Sequence, residues 1–320
     1  MPNPFPPLSI GMPVYNGEKT IAHAIESVLD QEYQDFHLHI FNDCSTDNSF
    51  MIAKEYAAHD KRIFLYENQI RMGQPGNFNK CLHFPGYKYV SIKSQDDVMS
   101  RSYYKECIDF LEYNSDYVSC YTNDIHHSEY LYQYEEDDPY VRAVSVLSNF
   151  YAGNINYGVY RFDAVEQTLP WQYIPGNDHV YNFNISLFGK IKKISKSLYQ
   201  RNWPKRSTDA YLMICTEGFK TSDTIVVSKY KYIEILLGFL KICHLGNLNS
   251  LNRDKLIDII IDTMLKTRGK QLLKELVSYE KSLAEDKLPD VYSRQIQQQR
   301  FERAKFYLIN QGIHRFSRRL

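Results

Sequence analysis

The feature that most restricts the fold is an unbroken alternation of two hydrophobic periods over the first 125 residues. Residues 8–15, 36–41, 62–66, 87–93 and 117–122 read as extended runs, and 18–31, 47–58, 77–84 and 100–114 as helices between them. Phe36 to Phe41 alternates Phe, Leu and Ile with His37 and His39, whereas Ile21, Ile25, Val28 and Leu29 recur at helical spacing, as do Cys107, Ile108 and Leu111. Ser45 or Thr46 stands where the second helix needs an N-cap. Strands separated by helices of this length require right-handed crossovers, so an α/β fold is expected, with a mostly parallel sheet flanked by helices. Such sheets bind ligands beyond the carboxyl ends of their strands. Asn16 follows the first strand, Asn42-Asp43 the second and Gln95-Asp96-Asp97 the fourth, so three polar clusters should meet on one rim.

The remainder is less regular. Residues 125–210 carry an acidic run, Glu135-Glu136-Asp137-Asp138, that reads as a solvated loop, and helical patterns return over 230–243, 254–284 and 291–311. Equal numbers of basic and acidic residues, 38 of each, give no field to attract nucleic acid. The six cysteines are scattered without a C-x-x-C pair, which disfavours structural zinc or a disulfide framework and suits a reducing compartment. No leader pattern opens the chain, and the longest apolar stretch, Ile235 to Leu240, falls far short of the roughly 20 residues of a membrane span. A cytoplasmic protein is expected. No phosphate-binding glycine loop follows the first strand, and His126-His127 reads as a loop pair.

Asp96 and Asp97 are the chemical centre of this reading. Adjacent carboxylates at a strand end repel, and a hard divalent cation relieves that cost. Capping of the helix that begins near Ser100 is the competing explanation. Asp43 could accept the imide N–H of uracil or thymine, while Ser45, Thr46 and Asp47 serve as caps.

Three blocks, Pro13-Val14-Tyr15-Asn16-Gly17-Glu18, Asn42-Asp43-Cys44-Ser45-Thr46-Asp47-Asn48-Ser49 and Gln95-Asp96-Asp97, together resemble the family 2 glycosyltransferases of the GT-A fold. Gly73, Asn77 and Asn79 are similar to the segment between the last two. The resemblance covers residues 7–210. It implies that Pro13, Tyr15, Asn16, Asp43, Asn77, Asp96 and Arg201 bind a nucleotide-sugar donor, with Tyr15 near the base, Asp43 bonded to it, and Asp96 on the ribose or sugar. It implies that Asp97 binds Mn²⁺ or Mg²⁺, and that Asp178, in Gly176-Asn177-Asp178-His179, is the catalytic base of an inverting transfer. An N-cap role for Asp178 stays open. Two positions depart from the family pattern: Asn42 stands where Asp is common, and Trp203 where His is common. Arg201, Lys205 or Arg206 would neutralise the diphosphate.

The implied organisation is a catalytic domain over 1–220, with a nucleotide-sugar half to about 125 and an acceptor half beyond, and a helical subdomain over 221–320. The implied acceptor is a saccharide or a lipid-linked one. Residues 291–320 hold seven Lys or Arg against one Glu, interleaved with aromatics. That tail would suit the inner face of an anionic membrane, or equally a packed helix with a solvated basic face. A sugar-phosphate nucleotidyltransferase and a non-catalytic nucleotide- or carbohydrate-binding module are the alternatives. The first lacks its basic glycine-rich loop here, and the second is hard to reconcile with Asp96, Asp97 and Asp178 all being present.

Overall fold

The computed structural model describes residues 7–125, 134–149, 153–168, 170–174, 176–202, 231–245 and 250–284, with 298, 302 and 304. Its first half follows the expected alternation: β1 (Leu8–Val14), α1 (Ile21–Leu29), β2 (Phe36–Asn42), α2 (Ser49–His59), β3 (Ile63–Glu67), α3 (Gly73–Leu82) and β4 (Tyr89–Ile92). β1 pairs in parallel with both β2 and β4, and β2 with β3. With helices on both faces, Leu8, Ile10, Met12 and Val14 are all buried, as is Ser9. Gly11 lets α3 close onto β1, because a Cβ there would lie 2.3 Å from Cys81 Cβ.

Two local expectations are corrected. α2 starts from Asn48 without a side-chain cap, so neither Ser45 nor Thr46 caps it, and Asp47 Oδ1 instead accepts the Ser49 N–H at 3.0 Å. α3 begins at Gly73 rather than near Asn77.

The second half is more regular than its sequence suggests. β5 (Val98–Met99), α4 (Tyr103–Tyr113), β6 (Tyr117–Asp124), α5 (Pro139–Ser148), a 3-10 turn (Gly153–Tyr157), β7 (Val159–Arg161), α6 (Phe162–Glu166), α7 (Asn177–Ser186) and β8 (Lys190–Gln200) follow in order. The sheet runs β3-β2-β1-β4-β7-β6-β8-β5. β8 is parallel to β6, whereas β7 is antiparallel to β4 and β6, and β5 to β8.

The acidic run is a largely exposed loop, as its sequence suggests, and it also fastens neighbouring elements. Glu135 accepts from Lys192 at 2.9 Å, Asp137 pairs with Lys190 at 2.7 Å, and Asp138 caps α5 through the N–H groups of Tyr140 and Val141. Pro139 in the first turn completes that helix start.

Two further helices follow, α8 (Lys231–Leu245) and α9 (Ser250–Ala284). Ile235, Leu236, Phe239 and Leu240 of α8 share one apolar cluster with Val180 and Phe183 of α7. The helix expected over 291–311 lies almost wholly outside the described residues, as do His126, His127 and Cys215. Cys44, Cys81, Cys107, Cys120 and Cys243 are free thiols. Among the described residues no helix is long and apolar enough to cross a membrane.

Under the strand that carries Asp43, His39 is 2% exposed, stacks on Phe84 at 4.2 Å, and bonds Tyr66 and Tyr87 through its two ring nitrogens. Burial, and then the neighbouring His37, lower its pKa to about 4. The unfolded chain therefore binds this proton first, and stability is lost as pH falls from about 6.5 to about 4, by up to roughly 3 kcal/mol. Urea unfolding across that range should show the loss in the native chain and a shallower slope in His39→Gln. Parallel slopes would contradict it.

Candidate active site

The loops after β1 and β2 are stitched together by the polar residues of the first two blocks. The Asn16 N–H donates to Ser45 Oγ at 3.1 Å while Asn16 Oδ1 accepts the Thr46 N–H at 2.8 Å. Gly17 N–H donates to Ser49 Oγ, Glu18 N–H to Asp47 Oδ2, and Asn48 N–H to Glu18 Oε2. Asn16 adopts a left-handed φ of 47°, a conformation its short polar side chain tolerates. The loop after β4 joins the same assembly through Gln95. Its Oε1 accepts the Tyr15 N–H and its Nε2 donates to the Tyr15 carbonyl, both at 2.9 Å. The three clusters do meet on one rim. Pro13, part-buried near the end of β1, stands opposite Phe41 of β2.

Asp43 and Asn77 turn inward. Asp43 Oδ1 accepts from the Met72 N–H at 2.7 Å and from Asn68 Nδ2 at 2.8 Å, and Oδ2 from the Gly73 N–H at 2.8 Å. The carboxylate thereby holds the opening turn of α3, where the helix dipole favours negative charge. Asn77 lies behind it, 2% exposed, donating to the Phe41 carbonyl and accepting from Asn68. Tyr15 faces outward with 36% exposure, and the Arg71 guanidinium rests 3.9 Å from its ring centroid.

The acidic pair lies in the loop between β4 and β5. Asp96 is part-exposed and accepts from Ser94 Oγ. Asp97 is 4% exposed, with Oδ2 accepting from the Tyr199 hydroxyl at 2.7 Å and Oδ1 from the Asn202 N–H at 2.9 Å. Burial and the Asp96 charge raise its pKa, against the lowering effect of Lys93, Tyr199 and Asn202. Neither aspartate caps α4, whose N-cap is Ser102, so the capping explanation fails. Beneath them Lys93 is fully buried, and burial lowers its ammonium to about 8 despite the pull of Asp97 and Asp96.

The antiparallel register of β7 against β4, with Val159 opposite Ser91, brings Tyr157 to the end of β4. Its ring stacks on Tyr199 at 5.4 Å and 14°, its carbonyl accepts from the Tyr103 hydroxyl, and the Arg201 guanidinium lies 5.5 Å from its centroid. Burial raises the Tyr157 phenol, Arg201 pulls it down, and Asp97, Asp96 and Asp178 each push it further up. Asp178 sits in the first turn of α7, its side chain 28% exposed and its Oδ1 3.9 Å from His179 Nε2. The N-cap is Gly176, at a φ of 75°, so Asp178 is not the cap. Trp203, Lys205 and Arg206 lie outside the described residues.

Arg71, Lys93, Tyr157 and Tyr199 are residues of the candidate site that the motifs alone do not single out. A lysine closing an otherwise apolar strand was a usable signal for Lys93. Tyr157 and Tyr199 gain their places only through the register of β7 and β8. Among the described residues no group of three or more His, Cys, Asp or Glu could hold a metal. The donor set fits a hard cation through the Asp97 and Asp96 carboxylates, each oxygen keeping lone-pair capacity, with phosphate oxygens and water completing the shell.

The sequence model described as Glycosyl transferase family 2 matches residues 9–168, half of the chain. The chain belongs to that family. Among its relatives are the putative glycosyltransferase EpsE of Bacillus subtilis, 35% identical over 116 residues, which are 36% of this chain and 42% of EpsE. The UDP-Glc:alpha-D-GlcNAc-diphosphoundecaprenol beta-1,3-glucosyltransferase WfgD of Escherichia coli is 35% identical over 91 residues, 28% of this chain and 35% of WfgD. The chain is thus matched over less than half the length of these relatives. In fold it is similar to S. aureus TarS 1-349 in complex with UDP-GlcNAc, with a TM-score of 0.61 at 16% identity over 84% of this chain and 79% of that one. The family 2 fold accounts for the mixed sheet, and membership leaves the nucleotidyltransferase alternative without support.

The inward role of Asp43 has a direct consequence. Asp43→Asn presents an amide NH₂ to backbone donors and should cost roughly 2 kcal/mol in urea unfolding. A variant as stable as the parent would show that the Met72 and Gly73 bonds contribute nothing.

Proposed function

We propose that this family 2 chain transfers one sugar from a nucleoside diphosphate sugar, UDP- or dTDP-linked, to an acceptor hydroxyl with inversion at the anomeric carbon. The observation that carries the reading is the Asp96-Asp97 pair beyond the carboxyl end of β4, with Asp97 held by Tyr199 and Asn202, and the Arg201 guanidinium 5.5 Å from the Tyr157 ring that stacks on Tyr199. Those charges match the demands of sugar transfer, in which an oxocarbenium-like carbon forms as a diphosphate departs.

In this reading the outward face of Tyr15 receives the base, with Arg71 beside it. Asp43 acts on the base through the loop it anchors, while Pro13, Asn16 and Asn77 shape the rim that holds the donor. Asp96, the more exposed carboxylate, reaches the ribose or sugar. Arg201 offers a permanent positive charge to the leaving diphosphate. Asp178, part-exposed on a rigid helix start, takes the proton of the attacking hydroxyl. A Mn²⁺ or Mg²⁺ held by Asp97 with Asp96 would supply further charge neutralisation of the diphosphate.

The name of the E. coli relative specifies a UDP-sugar donor and a diphosphoundecaprenol-linked acceptor, which supports a lipid-linked or saccharide acceptor here and a product in surface polysaccharide or glycolipid synthesis. Peripheral contact of the basic 291–320 segment with the inner membrane face, and a cytoplasmic location, belong to the same proposal. So does the division into a nucleotide-sugar half, an acceptor half and C-terminal helices.

A thermal-shift panel of UDP, dTDP, GDP and CMP, with and without Mn²⁺, tests the reading. A Mn²⁺-dependent rise with one nucleotide, lost in Asp97→Ala, is expected. Asp178→Asn should keep that rise while transfer slows by at least about 10²-fold. No rise with any nucleotide in folded protein, or native turnover in Asp178→Asn, would contradict it.

A further inference from the structure

Lys93 is the one ammonium among the described residues that is fully buried at the rim, and the reaction outlined above does not use it. Its backbone N–H continues the β1 contact, donating to the Gly11 carbonyl at 2.9 Å. Its side chain folds back into the acidic turn, where Nζ donates to the Ser94 carbonyl at 2.8 Å and to the Asp97 carbonyl. The two carbonyls bracket the turn, so one ammonium ties its first residue to its last. From the outside the same turn is held by Gln95 on the main chain of Tyr15. Burying a charge is costly unless its donors are satisfied, and a methionine would fill this volume without that cost. The geometry therefore gives the ammonium a task that packing alone does not require.

We propose that Lys93 is the positioning residue of the acidic turn: its ammonium, by holding the Ser94 and Asp97 carbonyls, fixes the direction in which the Asp96 and Asp97 carboxylates face a cation and a diphosphate. Fully buried, it touches neither. The proposal rests on the transferase reading and names a part of that site which the motifs do not contain.

The sign of the effect on cation binding separates this role from the other two Lys93 could have. A positioning residue, when lost, weakens cation binding. A residue acting only through its positive field, when lost, strengthens it, because a repulsion of the cation disappears. A packing residue changes the melting temperature and leaves cation binding alone.

The experiment is a MnCl₂ titration of the thermal shift produced by saturating UDP, in the full chain, for the wild type, Lys93→Met and Lys93→Gln. The Mn²⁺ midpoint should rise about tenfold in Lys93→Met, on the scale of losing charge-assisted hydrogen bonds. Lys93→Gln, whose amide can still donate to one carbonyl, should show a smaller rise. An unchanged midpoint with only a lower melting temperature, or a lowered midpoint, would overturn the proposal. If Lys93→Met does not fold, the midpoint of Lys93→Gln decides by the same signs. If only another nucleotide of the panel responds, it replaces UDP in the titration; a wild type without a Mn²⁺-dependent response to any of them overturns the transferase reading and this proposal together, and is recognised because the failure is already present without a substitution.

Discussion

The hydrogen bond from the Tyr199 hydroxyl to Asp97 joins the two halves of the sheet at the point where charge is hardest to bury. Asp97 is nearly enclosed beside the like charge of Asp96, and both effects favour its neutral form. Its ionised form is supported from β8 by Tyr199 and Asn202 and from β4 by Lys93. That support needs β8 to cross the rim, which the antiparallel pairing of Val98 and Met99 with Gln200 and Tyr199 provides. β8 in turn is aligned by its long parallel pairing with β6 and by the ion pairs of its lysines with Glu135, Asp116 and Asp137. The irregular-looking middle of the chain is thus the scaffold of the carboxylate that the first half supplies.

The rim divides its labour by direction. Asn16, Glu18, Ser45, Asp47 and Ser49 spend their polar atoms on one another, and Asp43 and Asn77 face the interior. In the proposed reading Tyr15, Asp96, Asp178 and Arg201 are the groups that meet the ligand. A motif residue can therefore belong to a donor site without touching the donor, by holding the loop that does. Preorganisation of this kind lets charged groups act on developing charge without reorganising at the moment of reaction.

The first half of the fold was legible because each element carries its own periodicity: β1, α1, β2, α2, β3 and β4 lie within a few residues of where hydrophobic spacing puts them. In the second half α4, β6, α8 and α9 were legible in the same way, whereas β5, β7 and β8 were not, for identifiable reasons. β5 has two residues and β7 three, too short for any period to register. β8 reads Lys-Ile-Lys-Lys-Ile-Ser-Lys-Ser-Leu-Tyr-Gln, and its lysines conceal a strand whose charges are neutralised by the acidic run. The start of α5 was readable, since Asp138-Pro139 is a cap followed by a first-turn proline, but the acids before it suggested solvent. At the candidate site, Asp43, Asp96, Asp97 and Asp178 were named through the resemblance of the motif blocks. Tyr157, Tyr199 and Lys93 depend on strand register and burial, which a single sequence does not display.

The proposed reading makes Asp96, Asp97, Asp178 and Arg201 parts of one site for a metal-bound nucleotide sugar. Crystals grown with UDP and Mn²⁺, measured at the manganese absorption edge, test it most directly. The account predicts one anomalous peak between the Asp97 carboxylate and the diphosphate, with the uracil against Tyr15. A nucleotide bound elsewhere, or a diphosphate on this rim with the manganese remote from both carboxylates, would contradict it.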